Sequence, residues 1–284
     1  MRIFIDQLGF SFKKKQPLFS GLSLETGPGR IYGLFGLNGA GKTTLLKLMA
    51  GLLFPREGTC TCDGMHSHQR RPSVTGNLYF IPEQFELPVL TGEQYTGVYA
   101  PFYPDFDHEI LDDACTTLGV DMKETLTKFS HGQQKKFLIS FALATGARLL
   151  LMDEPTNGLD IPSKSAFRKL LAGFENEDKT IIISTHQVRD LGQCIDQVLV
   201  LHEGRMMMNT SLDNITRKFA FSLTEKGEGH PILYSEPTLG GFKSVLAADG
   251  DAQPSEIDLE LLFNAVISRP ELLVEHLNET EAAS

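Results

Sequence analysis

Short apolar runs recur along the chain and end where glycine or polar residues begin. Residues 31–35 lead into a glycine-rich segment, residues 149–152 end in two acidic residues, and residues 180–183 end in Ser-Thr-His. Strands that are apolar on both faces are typical of parallel sheets covered on both sides. Because polar residues follow the runs, the pattern predicts an α/β fold with chemistry at the carboxyl ends of parallel strands.

The segments between these runs carry the patterns of helices and of an antiparallel strand. The leucines of residues 43–50 predict a buried helix that stops at the following glycine. Residues 109–118 predict an amphipathic helix inside a helical insertion of about 85–145. Near the N-terminus, residues 59–63 and the glycine after them predict an antiparallel strand and a turn.

The pattern changes at about residue 215. From there the sequence is acidic and rich in turn residues up to Ser255. Ser255 and Asp258 then form a capping pattern, which predicts a helix through Ile267. We therefore predict one larger unit over residues 1–214 and a small accessory segment over residues 215–284.

Composition and charge narrow the class of protein. With 41% hydrophobic and 22% charged residues, the 284-residue chain has the composition of a globular protein. Its net charge of −10 repels phosphate backbones, so nucleic acid is not expected as a partner. Residues 215–284 hold 12 acidic and 5 basic residues and thus −7 of this charge, which leaves −3 for residues 1–214.

Cysteine usage and the N-terminal sequence predict a compartment. Four cysteines in a chain of this length do not form a disulfide framework, which fits a reducing compartment. The chain starts without a secretory pattern and contains no run of about 18 apolar residues, so we expect a cytoplasmic protein. Cys60 and Cys62 with His66 and His68 form a weak zinc pattern, since C-x-C is tighter than the usual ligand spacing, and strand residues leading into a surface loop explain it as well.

A phosphate-binding motif follows the first apolar run. Gly36-Leu-Asn-Gly-Ala-Gly-Lys-Thr43 satisfies G-x-x-x-x-G-K-[ST] between a predicted strand and a predicted helix. The glycines let backbone N–H groups turn toward a phosphate, the lysine neutralises β- and γ-phosphate oxygens, and the hydroxyl completes the coordination of Mg²⁺. The motif therefore predicts an ATP and Mg²⁺ site formed by Gly36, Asn38, Gly39, Ala40, Gly41, Lys42, Thr43 and Thr44.

An acidic pair ends the second apolar run. Asp153 is placed to hold Mg²⁺ beside the phosphate loop, and Glu154 is placed to orient and deprotonate the water that attacks the γ-phosphorus. An acidic pair at a strand end is often only the start of a helix, but beside a phosphate loop that alternative loses weight.

Further short motifs converge on one family. Phe129-Ser-His-Gly-Gln133 resembles the L-S-G-G-Q signature of ATP-binding cassette (ABC) ATPases and lies shortly before the acidic strand, as it does in that family. The resemblance covers almost all of residues 1–214. By the same resemblance, the remaining motif positions are Gln84 in the Q-loop, Asp160 in the D-loop, His186 as the switch histidine and Phe12 as the aromatic residue stacked on adenine.

The resemblance implies a head-to-tail dimer in which the signature of one subunit closes on the ATP held by the other. Ser130, Gly132 and Gln133 would form that contact, because a hydroxyl and an N–H group at a helix start favour an anion. His186 would contact the γ-phosphate, and Gln84 would sense the metal and the attacking water. His131 stands where the signature has its first glycine, which leaves the conformation of this loop open.

The resemblance also implies an architecture. It consists of a P-loop NTPase core of the RecA-like α/β type, an antiparallel β-subdomain, a helical subdomain of about 85–145 and the C-terminal accessory segment. A cluster of aromatic residues brackets the Q-loop, where cassettes of this family receive a helix of their membrane partner: Phe80, Phe85, Tyr95, Tyr99, Phe102 and Tyr103.

The function that these features predict is ATP hydrolysis in a transporter. The chain resembles the ATPase subunits of bacterial ABC-2-type exporters, which would place it at the inner face of the cell membrane with a transmembrane permease and a second, identical ATPase subunit as partners. The alternatives are a soluble ABC ATPase that acts on ribosomes or DNA, and a cassette that binds ATP without hydrolysis. This chain lacks the long coiled coils or the second cassette that such soluble ATPases carry, which opposes the first alternative. The presence of Glu154 and His186 opposes the second.

Overall fold

A computed structural model describes residues 1–13, 16–173, 178–192, 194–224, 231–248 and 256–278. The strands are β1 (Ile3–Phe10), β2 (Phe19–Thr26), β3 (Arg30–Phe35), β4 (Glu57–Cys62), β5 (Met65–His66), β6 (Leu78–Ile81), β7 (Leu149–Asp153), β8 (Thr180–Thr185), β9 (Gln197–His202), β10 (Arg205–Ser211), β11 (Phe219–Thr224), β12 (Ile232–Thr238) and β13 (Gly241–Ala247). The α-helices are α1 (Lys42–Met49), α2 (Pro72–Thr75), α3 (Gly92–Tyr99), α4 (His108–Leu118), α5 (His131–Ala144), α6 (Ile161–Ala172), α7 (Leu212–Lys218), α8 (Leu259–Ser268) and α9 (Pro270–Asn278).

A six-stranded sheet with the order β10-β9-β3-β8-β7-β6 lies at the centre of the fold. All of its strands are parallel except β10, which pairs antiparallel with β9. Every residue of β7 and β8 is buried. Leu149 and Leu151 of β7 face one hydrophobic core, while Leu150 and Met152 face the other. The predicted parallel sheet, covered on both faces, is therefore confirmed.

An antiparallel sheet and α1 cover one face of the central sheet. The strands of this antiparallel sheet have the order β2-β1-β4-β5, which confirms the antiparallel strand predicted near residues 59–63. Asp63 and Gly64, which join β4 to β5, both have positive φ angles, of 45° and 78°. Two successive residues with positive φ form the turn that suits a tight hairpin, which explains the glycine.

Helices cover the other face. Within residues 82–148, all of which the structure describes, lie α3, α4 and α5. Asp107 caps α4 by accepting hydrogen bonds from the N–H groups of Glu109 and Ile110. The side of α4 that carries Leu111 and Leu118 is buried against α5, as the amphipathic pattern predicted. These three helices lie in the stretch of about 85–145 where the sequence predicted a helical insertion.

The C-terminal part has more regular structure than its sequence indicated. Residues that read as turn-rich form a three-stranded antiparallel sheet with the order β11-β13-β12. The predicted helix starts at Leu259, because Asp258 accepts a hydrogen bond from the N–H group of Leu261. Ser255, the other residue of the predicted capping pattern, lies outside the described residues. A second helix, α9, follows and was not predicted.

The C-terminal elements share a hydrophobic core with the helical side of the central sheet. Phe219, Val245 and Leu262 belong to the same buried cluster as Val198 of β9 and Phe167 of α6. Residue 214, the predicted boundary, lies inside α7, and the division of the chain at that residue stays a prediction. Within the described part of the chain, every helix is too short or too polar to span a membrane.

Candidate functional site

The glycine-rich loop joins β3 to α1 at the carboxyl end of the central sheet. Gly39 and Gly41 have φ angles of 82° and 104°, which side chains rarely adopt. A Cβ atom on Gly36 would lie 2.6 Å from the carbonyl oxygen of Leu201, so the backbones of loop and sheet could not approach as they do. Local geometry thus requires these glycines, and the loop ends at the first turn of α1, where helix N–H groups lack partners within the helix and favour an anion.

Lys42, the first residue of α1, points back over this loop. Its Nζ atom donates hydrogen bonds to the carbonyl oxygens of Gly36, at 2.7 Å, and Leu37, at 3.4 Å. The carboxylate of Glu154 lies 3.7 Å from the same Nζ atom. Burial lowers the pKa of Lys42, and the neighbouring Glu154 carboxylate opposes that shift. The ammonium group of this buried side chain lies beside the glycine loop, which suits binding of a phosphate.

Asp153 ends β7 on the floor of the same cleft. It is completely buried, and its Oδ1 atom accepts a hydrogen bond of 2.5 Å from the Ser184 hydroxyl group of β8. Its other carboxylate oxygen, Oδ2, is buried and has no hydrogen-bond partner. A buried carboxylate oxygen without a partner is costly unless a ligand satisfies it, and a divalent cation is the ligand that such an oxygen prefers. The site therefore fits Mg²⁺.

Glu154 is held in place by β8 and the residue that follows its end. Its backbone N–H donates to the carbonyl oxygen of Ser184 at 3.0 Å, and its Oε1 atom accepts a hydrogen bond of 3.0 Å from the backbone N–H of His186. The Nδ1 atom of the His186 ring lies 2.8 Å from the same oxygen. Because a carboxylate only accepts hydrogen bonds, the ring nitrogen that faces it carries the hydrogen. Glu154 and His186 thus form a fixed carboxylate–imidazole pair.

A cleft of about 690 Å³ connects these groups. Its lining includes most of the residues that the sequence assigned to ATP and its catalysis: Phe12, Asn38, Gly39, Gly41, Lys42, Thr43, Thr44, Asp153, Glu154 and His186. Gly36 and Ala40 shape the loop from behind and are not among the lining residues. The Phe12 ring is 67% exposed and forms a T-shaped contact with Phe10, with 5.0 Å between ring centroids, so most of the ring is accessible to a planar ligand.

Four lining residues were missed from sequence alone: Leu18, Leu37, Glu83 and Asn157. Glu83 is the most important of them, because it adds a third carboxylate to the cleft. Gln84, predicted to reach the metal and the attacking water, is exposed and is not among the described residues that line the cleft. The signal for Glu83 was its position two residues after the end of β6, where side chains reach the carboxyl edge of the sheet.

The signature-like segment begins α5. Ser130 is the N-cap residue and forms a capping box with Gln133, in which the Ser130 Oγ atom accepts from the Gln133 N–H at 3.3 Å and the Gln133 Oε1 atom accepts from the Ser130 N–H at 3.1 Å. None of Ser130, Gly132 and Gln133 is among the described residues that line the cleft. The structure therefore gathers the phosphate loop, the acidic pair and the histidine in one place and leaves the signature elsewhere.

His131, the departure from the glycine of the signature, fits as the first residue of α5. Its ring stacks on the ring of Phe85, with 4.9 Å between centroids and 17° between planes. Gly132, in contrast, packs so closely that a Cβ atom would lie 2.8 Å from the carbonyl oxygen of Gly158. A glycine is therefore required at position 132, because the loop that follows Glu154 lies against it. Position 131, where the family signature has its first glycine, accepts a side chain.

The weak zinc pattern does not form a metal site. Across the part of the chain that the structure describes, no three histidine, cysteine or acidic side chains are grouped as metal ligands. Cys60 and Cys62 are buried in β4, and burial raises the pKa of these thiols to about 11 and about 12. Both are strand residues in the core, which was the alternative explanation.

Taken together, the cleft carries the groups that phosphoryl transfer to water requires. Lys42 and the glycine loop suit the binding of a phosphate, Asp153 has a buried oxygen without a partner that suits a divalent cation, and Glu154 is a carboxylate held by His186. Catalysis of this kind depends on positioning and on neutralising charge.

Comparison with known proteins identifies the family of this chain. A family model described as ABC transporter matches residues 19–157. The ABC transporter ATP-binding protein NatA of Bacillus subtilis (strain 168) is 31% identical over 201 residues, which are 68% of this chain and 82% of that protein. The bacitracin transport ATP-binding protein BcrA of Enterococcus faecalis is 27% identical over 274 residues, which are 92% of this chain and 86% of that protein.

A solved structure shows the same fold. It is described as the structure of the ATP-binding subunit of an ABC transporter, superimposes with a TM-score of 0.69 and is 25% identical in sequence. The match covers 76% of this chain and 92% of the other. The fold predicted from the sequence, a P-loop NTPase core, is thereby confirmed.

Proposed function

The chain belongs to the ABC transporter family as an ATP-binding protein with ATPase activity, and from this premise we propose that it energises a separate membrane permease as the ATPase subunit of an exporter. The observation that carries the proposal is the cleft in which Lys42, Asp153 and the Glu154–His186 pair face one another. The similarity over 92% of the chain to a protein named for bacitracin transport supports a role in transport. We place the working complex at the inner face of the cell membrane.

The residues of the cleft that the sequence motifs identified have distinct roles in hydrolysis under this proposal. The Phe12 ring stacks on the adenine base, and the loop N–H groups with Lys42 bind the β- and γ-phosphates. Thr43 and Asp153 would hold Mg²⁺, which supplies positive charge to the phosphate oxygens when bound. Glu154 accepts the proton of the attacking water, and His186 keeps the carboxylate in place. The role of Gln84 near the metal stays a prediction, since the side chain lies outside the cleft.

We further propose that two copies of the chain pair head to tail. Ser130 and Gly132 lie outside the cleft of their own chain, at the start of a helix of 14 residues whose first N–H groups favour an anion. In the capping box the Ser130 oxygen serves as an acceptor, so its hydroxyl hydrogen is available to a phosphate oxygen. The γ-phosphate held by a second chain is the ligand that this arrangement fits.

Removing the Ser130 hydroxyl is expected to weaken ATP-dependent pairing by about tenfold, because it removes one hydrogen bond to a charged group. The measurement is the dimerisation constant from light scattering at saturating ATP, in a Glu154→Gln background that prevents turnover. Thr91→Ala is the matched control, since Thr91 and Gln94 form the same kind of capping box at the start of α3. Equal weakening by both variants would assign the effect to loss of a helix cap and would contradict the dimer contact.

The permease contact is proposed on the exposed apolar side chains beside residues 82–86. Val89 is 79%, Val98 53% and Phe102 68% exposed. The aromatic cluster that the sequence placed here is divided in the structure. Tyr95 is buried against Phe137 and Phe141, whereas Phe102 faces outward. The surface that we propose for the permease therefore consists of Val89, Val98 and Phe102.

Changing Val98 and Phe102 together to Asp is expected to abolish co-purification of the permease and stimulation of ATPase activity by it, because the charges oppose burial of the surface. ATP turnover of the isolated chain should stay within about twofold of wild type. Leu239→Asp is the control, as Leu239 is fully exposed on the hairpin between β12 and β13. Recovery of ribosomes or DNA-bound proteins with the wild-type chain, and of no membrane protein, would favour the soluble alternative.

A further inference from the structure

Lys135 is a buried lysine that has no role in ATP hydrolysis as proposed above. It lies in α5, five positions after Ser130, and is only 1% exposed. Lysine is almost never this deeply buried unless its ammonium group finds partners. The groups that it contacts therefore indicate why a charge is kept inside the protein.

The partners of Lys135 are backbone oxygens of the segment that carries the catalytic carboxylate. Its Nζ atom donates to the carbonyl oxygen of Glu154 at 2.9 Å and to that of Asn157 at 3.1 Å. Burial lowers the pKa of Lys135, while the carboxylates of Glu83, Glu154 and Asp153 oppose the shift. One side chain of the signature helix thus ties together both ends of the turn formed by residues 154–157.

This turn needs support, because Glu154 has a φ angle of 48°. A residue with a side chain adopts this left-handed conformation only where its surroundings compensate for the strain. The N–H of Glu154 is fixed by Ser184 of β8, and its carbonyl oxygen also accepts from the Asn157 N–H at 3.2 Å. The second donor to that oxygen is Lys135, so the orientation of the Glu154 peptide depends on α5.

A second contact joins the same two segments. The close approach of Gly132 to the carbonyl oxygen of Gly158 places the first turn of α5 directly against the loop that follows the turn. Since a helix of 14 residues moves as one body, a displacement of its N-terminus displaces Lys135 as well. The signature end of α5 and the Glu154 turn are therefore mechanically connected within one chain.

We propose that Lys135 is a positioning residue that sets the Glu154 carboxylate for catalysis and links it to the signature at the start of α5. The proposal rests on the head-to-tail dimer, in which Ser130 contacts the ATP of the partner. Binding of the partner's ATP then orients the base in the chain's own cleft through Lys135. When one ATP is missing from the dimer, the base of the other site is misplaced. Hydrolysis at either site therefore requires ATP in both.

The test measures ATP turnover of the purified full chain as a function of ATP concentration. Lys135→Met keeps the length of the side chain and removes its donors, and it is expected to lower kcat by about tenfold while KM changes by less than about threefold. Lys135→Gln restores N–H donors without charge and is expected to recover about threefold in kcat over Lys135→Met. Lys169→Met, on the exposed side of α6, removes the same charge elsewhere and should leave kcat unchanged.

A double-mutant cycle with Ser130→Ala tests the link to the signature. If Lys135 transmits the contact made by Ser130, the double variant is about as slow as the slower single variant, whereas independent effects multiply. Multiplying effects overturn the link, and wild-type kcat in Lys135→Met overturns the positioning role. A rise in KM as large as the fall in kcat, or equal activity of the Gln and Met variants, also overturns it.

The same measurements distinguish three outcomes: a variant that does not fold, a failure of the proposed function and a failure of the role proposed for Lys135. Thermal melting and binding of a fluorescent ATP analogue check that each variant is folded. If Lys135→Met does not fold, Lys135→Gln is compared with wild type, and an unchanged kcat then overturns the proposal. A wild-type chain without ATPase activity contradicts the proposed function itself, whereas an active wild type with an equally active Lys135→Met contradicts only this inference.

Discussion

Replacing Glu154 with glutamine is expected to lower kcat for ATP hydrolysis by about a hundredfold or more, the range that loss of a general base produces. Glutamine has the same shape, and its amide oxygen still accepts the hydrogen bond from the His186 N–H. It cannot take a proton from water, so the chemical step fails while the cleft keeps its geometry. ATP affinity should be unchanged or higher, because a negative charge beside the phosphates is removed.

Glu83→Gln is the matched control for this prediction. Glu83 is the third carboxylate on the same cleft, and the sequence motifs did not assign it a role. We expect its replacement to lower kcat by less than about tenfold, since it is not held against His186 as Glu154 is. Rates from single-turnover hydrolysis with excess enzyme compare the two variants directly. A large loss in Glu83→Gln with little loss in Glu154→Gln would move the base to Glu83.

Lys42→Met is expected to weaken ATP binding by about a hundredfold or more, because it removes the buried lysine of the glycine loop, whose charge is placed to bind the phosphates. In the structure the ammonium is held by the carbonyl oxygens of Gly36 and Leu37. Phosphate oxygens replace these partners on binding and make stronger, charged hydrogen bonds. Titration calorimetry with ATP in EDTA and in Mg²⁺ measures the loss.

Lys47→Met controls for the loss of a lysine from α1. Lys47 lies in the last turn of the helix, away from the cleft lining, and contributes to stability through the helix dipole. Its replacement is expected to leave the ATP dissociation constant within about twofold of wild type. If both lysine variants bound ATP as wild type does, the assignment of the loop to phosphate binding would be wrong.

The parts of this site that could be predicted from sequence are those whose signal is local. The loop glycines are imposed by backbone angles of the loop itself, and Asp153 and Glu154 follow directly on a buried strand. Such positions can be recognised because neighbours in sequence determine them. The same holds for the N-cap at Ser130, where a residue three positions later completes the cap.

The parts that escaped prediction depend on contacts between distant segments. Nothing near Lys135 in sequence indicates that its ammonium reaches residues 154 and 157. Similarly, which of Glu83 and Gln84 faces the cleft depends on how the chain leaves β6. The C-terminal sheet was missed because β11 and β12 alternate weakly and expose apolar side chains such as Leu223 and Ile232.

The core shared between the C-terminal elements and the central sheet determines how a truncating mutation would affect the protein. A nonsense mutation just before Leu259 would delete α8 and α9 and uncover the ring of Phe219, which His276 of α9 contacts, and part of β9, against which α8 packs. The phosphate loop, far upstream, would be translated intact, yet the chain would be lost to aggregation or proteolysis. Selection for ATP hydrolysis therefore also acts on α8 and α9, because residues of α8 and α9 belong to the buried cluster shared with the central sheet.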